Sequence, residues 1–173
     1  MRIRRKRVKA IVSRLLRDEE ISEPPVPVDQ VARHLGLHVR HVPFEGEISG
    51  SIIRRGEDVL VGVNSVHHEN RQRFTLAHEI GHFLLHKGDR VILDRSFRVN
   101  LRDTNENNIE DPEEVEANLF AAELLMPEKF LVDSLRNKKI DIEEDDMIET
   151  LANNYKVSPQ AMTYRLVNLG FLR

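Results

Sequence analysis

Arg71-Gln72-Arg73-Phe74-Thr75-Leu76-Ala77-His78-Glu79-Ile80-Gly81-His82-Phe83-Leu84-Leu85-His86 carries apolar residues three and four apart. Phe74, Ala77, Gly81, Leu84 and Leu85 align as one stripe, which predicts an amphipathic helix from about Glu69 to His86, stopped by Lys87-Gly88. Within it, His78-Glu79-Ile80-Gly81-His82 is an H-E-x-x-H pattern. Four residues advance a helix by slightly more than one turn, so His78 and His82 project side by side and flank the stripe. Two imidazoles on one face can grip a single divalent ion, and Glu79 is close enough to reach a water on that ion. The plain alternative is a pair of structural or surface histidines. Shuffling a chain of this composition produces the pattern rarely, and more rarely inside a helix of the right phase, so metal binding is the stronger reading.

Two histidines fall short of a catalytic site, which usually has three protein ligands. Downstream, Asp111-Pro112-Glu113-Glu114 is a strong helix start, with Asp at N-cap, Pro at N1 and Glu at N3. That helix runs to Met126 and breaks at Pro127, and it is apolar nearly all round. Glu116 and Glu123, seven apart, form a narrow acidic stripe between Leu119 and Phe120. A carboxylate among apolar neighbours needs a partner, because burying it unpaired is costly. A metal is one such partner and an arginine another, while a stripe facing solvent needs neither. Glu116, Glu123 and Glu113 are all candidates for the third ligand. His86 lies on the motif face but reads as a supporting or helix-end residue.

The composition narrows the chemistry. There is no cysteine, which excludes disulfides, thiol nucleophiles, iron–sulfur clusters and every cysteine-ligated zinc site. A metal must be held by nitrogen and oxygen, and eight histidines are available. The net charge of −3 conceals an asymmetry. Residues 1–17 carry eight Arg and Lys and no acid, whereas residues 103–149 carry sixteen Asp and Glu against four Arg and Lys. The basic start has no apolar h-region behind it, since Ala10-Ile11-Val12 is followed by Ser13. No apolar run approaches the ~18 residues of a membrane span. The expectation is a cytoplasmic protein with no membrane contact.

Around the two central helices the chain reads as a small α+β protein. Val8, Ile11, Val12, Leu15 and Leu16 predict a helix over 4–19. A short helix from Val28 ends at Gly36, and Leu37, Val39 and His41 suggest a strand. Residues 47–54 and 58–64 read as two strands joined at Arg55-Gly56-Glu57. Residues 94–110 are polar and irregular, the segment expected to be a mobile loop. Further helices are expected at about 128–136 and 143–154, and a last one from Ser158-Pro159 to Gly170.

The chain resembles the ImmA/IrrE family of metallopeptidases over nearly its whole length. The resemblance rests on Pro25-Val26-Pro27-Val28, on Ser49-Gly50 before a strand and on the 71–86 block. It continues in Glu116-Ala117-Asn118-Leu119-Phe120-Ala121-Ala122-Glu123-Leu124-Leu125-Met126-Pro127 and in Val157-Ser158, Ala161-Met162, Arg165-Leu166 and Leu169-Gly170. It implies a zincin-like fold, with helices on a small, mostly antiparallel sheet. A metallopeptidase domain over 1–136 would carry a helix-turn-helix-like extension over 137–173. The metal would be zinc, with manganese or another divalent ion as alternatives. His78, His82 and Glu116 would be its ligands, and Glu79 the base that takes a proton from water and passes it to the leaving amine. The implied substrate is a helix-turn-helix transcriptional repressor, whose cleavage relieves repression of mobile-element or stress-response genes. Thermolysin-like enzymes carry an Asp four residues after the glutamate ligand to orient a histidine, and this chain has Phe120 there. Zincins bind substrate as an added strand at a sheet edge, for which Ser49–Ile53 is the candidate.

Two other classes compete. A DNA-binding regulator would use residues 146–169 as helix, turn and helix, but the second helix offers only Arg165 as a fixed cation, and its surroundings are acidic. Direct DNA binding is therefore disfavoured. A non-catalytic interaction or toxin–antitoxin module on the same fold would have no use for Glu79.

Overall fold

The computed structural model describes residues 3–86, 91–95, 111–136 and 144–172. Along these the chain forms α1 (Arg5–Asp18), α2 (Val28–His34), β1 (Leu37–Val42), β2 (Ile48–Arg55), β3 (Asp58–Asn64) and α3 (Glu69–Leu85). There follow β4 (Val91–Arg95), α4 (Pro112–Leu125), α5 (Glu128–Arg136), α6 (Glu144–Tyr155) and α7 (Pro159–Leu169). This is a mixed α+β fold. Side-chain caps set the decisive boundaries: Asp111 accepts from the Glu113 backbone N–H at 2.9 Å to open α4, and Ser158 Oγ from that of Ala161 at 3.1 Å to open α7. Gly170, at φ 79°, supplies the left-handed residue that ends α7.

The sheet order is β1-β3-β2-β4. β1 runs parallel to β3, with Leu37 opposite Val59, while β2 is antiparallel to both neighbours, Ile52 facing Val61 on one side and Ile92 on the other. Ser49–Ile53 is therefore not a sheet edge. Among the described residues β4 covers that side and is itself the edge strand, together with β1 at the far end. The short apolar run Val91-Ile92-Leu93, wedged between Lys87-Gly88 and a long polar stretch, offers too little periodicity to announce a strand. The rest of the segment expected to be a mobile loop, 96–110, and the boundary expected at 136/137 lie outside or at the limit of the described residues.

The motif helix α3 is buried from Thr75 to His82 without interruption. It lies between the sheet on one side and α4 on the other, so a one-sided stripe is the wrong description of it. Leu76 and Ile80 are core residues, whereas Phe74 and Leu84 are only partly buried. Two arginines hold its ends to the sheet. Arg71 Nη2 donates to Ser49 Oγ at 3.0 Å near its start. At its end Arg54 Nη2 donates to the carbonyls of His82 and His86, both at 3.3 Å, where helix carbonyls lack intrahelical partners. Gly81 lets α4 approach: a Cβ there would stand 3.1 Å from Ala117 Cα. One apolar cluster joins Val8, Val12 and Leu16 of α1 to Leu151, Tyr155, Met162 and Leu166 of α6 and α7.

Candidate metal centre

His78, Glu79 and His82 occupy the middle of α3 and are almost wholly buried. The helical spacing brings His82 Nε2 to 2.9 Å from His78 Nε2. Glu114, on the first turn of α4, closes the group, with Oε2 3.3 Å from His78 Nε2 and Oε1 3.1 Å from His82 Nε2. Donor atoms of these three residues all lie within 4.8 Å of one another. Burial pushes the Glu114 carboxyl up, but the two imidazoles it faces outweigh that and hold the group well below the usual carboxylate range. Glu114 is thus an anion facing two imidazoles.

Glu116, the residue expected in this role, is turned elsewhere. Two positions on a helix differ by about 200° of rotation, so Glu114 and Glu116 meet different neighbours. The Arg4 backbone N–H donates to Glu116 Oε1 at 2.7 Å, and Arg4 Nε donates to the same oxygen at 3.0 Å. Arg4 Nη2 donates to Oε2, and His86 Nε2 lies 3.3 Å from that oxygen. The Arg4 grip draws the Glu116 carboxyl down to about 2, despite its complete burial. Glu123 is also taken by an arginine, accepting from Arg165 Nη2 at 2.6 Å. Of the acids considered from sequence, Glu113 contributes a backbone N–H to the helix cap. It is not in the histidine group.

Behind the two imidazoles stand further partners. His78 Nδ1 donates to Asn118 Oδ1 at 3.0 Å, which leaves Nε2 as the bare nitrogen of a neutral ring. His82 Nδ1 lies 3.1 Å from Nδ1 of the buried His86. Glu79 is packed against the β2 backbone: a Cβ on Gly50 would stand 2.5 Å from Glu79 Oε1 and 2.5 Å from Thr75 Cγ2. Glycine at 50 is what lets the carboxyl of Glu79 lie on the strand.

Residues 32–167 match the Peptidase M78 family, described as the IrrE N-terminal-like domain. The chain belongs to the ImmA/IrrE family of metallopeptidases. Among relatives, it is 27% identical over 139 residues to the uncharacterized immunity region protein 2 of Bacillus phage phi105, covering 79% of this chain and 78% of the phage protein. It is 38% identical over 80 residues to the radiation response metalloprotease IrrE of Deinococcus radiodurans. That second match spans 46% of this chain and 23% of the relative. Membership in a metallopeptidase family implies a divalent ion, and the donor set fits one. Two imidazole nitrogens and an ionised carboxylate converge, and both imidazoles are held from behind by their other nitrogens.

The sequence reading did not single out Glu114, Asn118 or Arg4, which the structure places at or behind the histidine pair. A signal for the first two was present: Glu114 and Asn118 are four apart, the spacing that puts both on the helix face toward His78. No local pattern points to Arg4, whose contact with Glu116 spans 112 positions.

Proposed function

We propose that this ImmA/IrrE-family protein is a zinc-dependent endopeptidase that hydrolyses a peptide bond in a helix-turn-helix transcriptional repressor. Such cleavage relieves repression of mobile-element or stress-response genes. The observation that carries the chemistry is the convergence of His78 Nε2, His82 Nε2 and the Glu114 carboxylate on one side of the helix that bears Glu79. His78, His82 and Glu114 would hold the ion, with zinc favoured by the His₂Glu set and manganese as the alternative. Taking Glu114 rather than Glu116 as third ligand also removes the anomaly at Phe120. Four residues after Glu114 stands Asn118, bonded to His78 as the orienting residue of a thermolysin-like site would be.

A divalent ion bound there supplies a Lewis acid that acidifies water and polarises the scissile carbonyl. Glu79 receives the proton from water and returns it to the leaving amine. Asn118 keeps the His78 ring in the tautomer that turns its bare Nε2 toward the ion. An extended substrate that joins the sheet would pair with β4, the edge beside β2.

The DNA-binding reading loses its one cation. Arg165, the single Arg or Lys of α7, is buried and bonded to Glu123 and to the Met126 carbonyl. A helix without an exposed cation is a poor phosphate reader, which favours α6 and α7 as a packed helical extension. The similarity to a phage immunity-region protein accords with a regulatory substrate. The test is incubation of the purified protein with helix-turn-helix repressors from its own genome, with and without chelator. Cleavage that chelator stops and zinc restores is the expected result. Glu79→Gln should abolish cleavage and keep stoichiometric zinc; cleavage by that variant would remove Glu79 as the base.

A further inference from the structure

A line of contacts leads from the candidate metal centre to Arg4, at the start of α1. His82 Nδ1 meets His86 Nδ1 at 3.1 Å, His86 Nε2 meets Glu116 Oε2 at 3.3 Å, and Arg4 grips both oxygens of Glu116. His82, His86 and Glu116 are each at most 4% exposed, so water does not compete for the bonds among them. We infer that Arg4 is a positioning residue for the metal centre: by holding Glu116 as an anion it fixes the tautomers of His86 and, through it, of His82. Arg4 and α1 precede the residues, 32–167, that match the family.

The proton placement follows from hydrogen-bond capacity. An ionised carboxylate only accepts, so His86 must carry its proton on Nε2 to bond Glu116. A neutral His86 then has a bare Nδ1, which can only accept, and the partner it accepts from is His82 Nδ1–H. His82 is thereby left with a bare Nε2, on the side of His78 and Glu114. Along Glu116, His86 and His82 each bond then has one donor and one acceptor, and reversing either ring breaks the bond beside it. Asn118 does the same service for His78 in one bond that Arg4, Glu116 and His86 perform together for His82.

This inference rests on the reading of His78, His82 and Glu114 as the metal ligands, and the test separates the two. Zinc affinity is measured on the full chain by competition with a chromophoric chelator. The ring tautomers of the metal-free protein are read from imidazole ¹⁵N shifts. Arg4→Ala and His86→Leu should each weaken zinc by about 10- to 100-fold, the usual cost of losing a partner behind a ligand. In Arg4→Ala the His82 signal should shift from pure Nδ1–H toward a tautomer mixture. His86→Asn, whose amide oxygen can still accept from His82, should recover most of the affinity lost in His86→Leu. A merely structural role for these residues would lower stability without moving the tautomer or separating Asn from Leu. Wild-type affinity and tautomers in Arg4→Ala and His86→Leu would overturn the inference alone. Undiminished zinc binding in Glu114→Gln, with loss in Glu116→Gln, would overturn the ligand assignment beneath it.

Discussion

Glu116 and Glu123 lie on one helix, both buried and each gripped by an arginine from a different end of the chain. At the near end of α4, Arg4 holds a carboxylate that in turn touches His86 and stands behind the candidate metal centre. At the far end, Arg165 joins Glu123 and the Met126 carbonyl and ties α7 to the end of α4. Burial of an acid is thus the same signal at both places, with different consequences. Glu114 is less buried than either, with its side chain 40% exposed, and it is the one that faces the histidine pair. The lesson is that a buried carboxylate identifies a partner requirement and not a ligand.

The sharpest way to break this contrast is to neutralise one acid at each end. Glu114→Gln should lower zinc affinity well beyond the ~100-fold that a supporting residue costs. Glu123→Gln should leave zinc affinity unchanged while lowering the thermal midpoint. Isothermal titration of both variants checks the pair, and equal zinc loss in the two would erase the distinction. Next in size is Arg165→Ala, which strands Glu123 in the interior and should cost about 3–5 kcal/mol in urea unfolding. Replacing Arg165 and Glu123 together by Met and Leu should recover most of that, since an apolar pair of similar volume leaves no charge unpaired. The corresponding exchange of Arg4 and Glu116 should recover stability without zinc affinity, because nothing then orders His86.

Most of the scaffold was legible because its signals are local. The predicted helix over Glu69–His86 is observed as Glu69–Leu85, and the caps at Asp111 and Ser158 open α4 and α7 as their chemistry requires. The pairing of His78 with His82 follows from the helical period alone. The acid that faces the histidine pair was not legible by the same logic, because the apolar surroundings of Glu116 and Glu123 drew attention to them and the family resemblance pointed to Glu116. Glu116 and Glu123 owe their burial to arginines 112 and 42 positions away, which no periodicity reports. The spacing of Glu114 to Asn118 was the usable clue, and it concerns what orients a histidine. β4 escaped notice because its pairing with β2 joins a five-residue strand across the whole of α3.

Gly81 lies between the two ends of α4 and tests whether they are independent. A Cβ there meets Ala117 Cα at 3.1 Å, Ala117 O at 3.2 Å and Phe120 Cβ at 3.2 Å, so α4 must move outward. Overpacking of this kind costs about 1–3 kcal/mol, against which alanine regains about 1 kcal/mol of helix propensity. Gly81→Ala should therefore be destabilised by up to about 2 kcal/mol. Because the shift carries Glu114 and Asn118 with it, zinc affinity should fall as well. A variant that loses stability with undiminished zinc affinity would mean that the near end of α4 is held by its own partners.

The smallest expected effect belongs to the far end and is read by pH. Tyr155 of α6 is fully buried, and its hydroxyl lies 2.9 Å from Ser134 Oγ of α5. Burial pushes its phenol up, the bond to Ser134 opposes that, and the charge of Asp133 adds to the rise. A group whose folded value is raised favours the protonated form in the fold. Its contribution is complete below the unfolded value near 10 and is lost as pH rises through the higher folded value. Thermal midpoints of the wild type should therefore drop between about pH 9 and 11 more steeply than those of Tyr155→Phe. At neutral pH that variant forfeits only the Ser134 bond, worth about 1 kcal/mol. Parallel curves would mean that the hydroxyl ionises as freely in the fold as in the unfolded chain, and that the packing of α6 against α5 opens before the phenol must lose its proton.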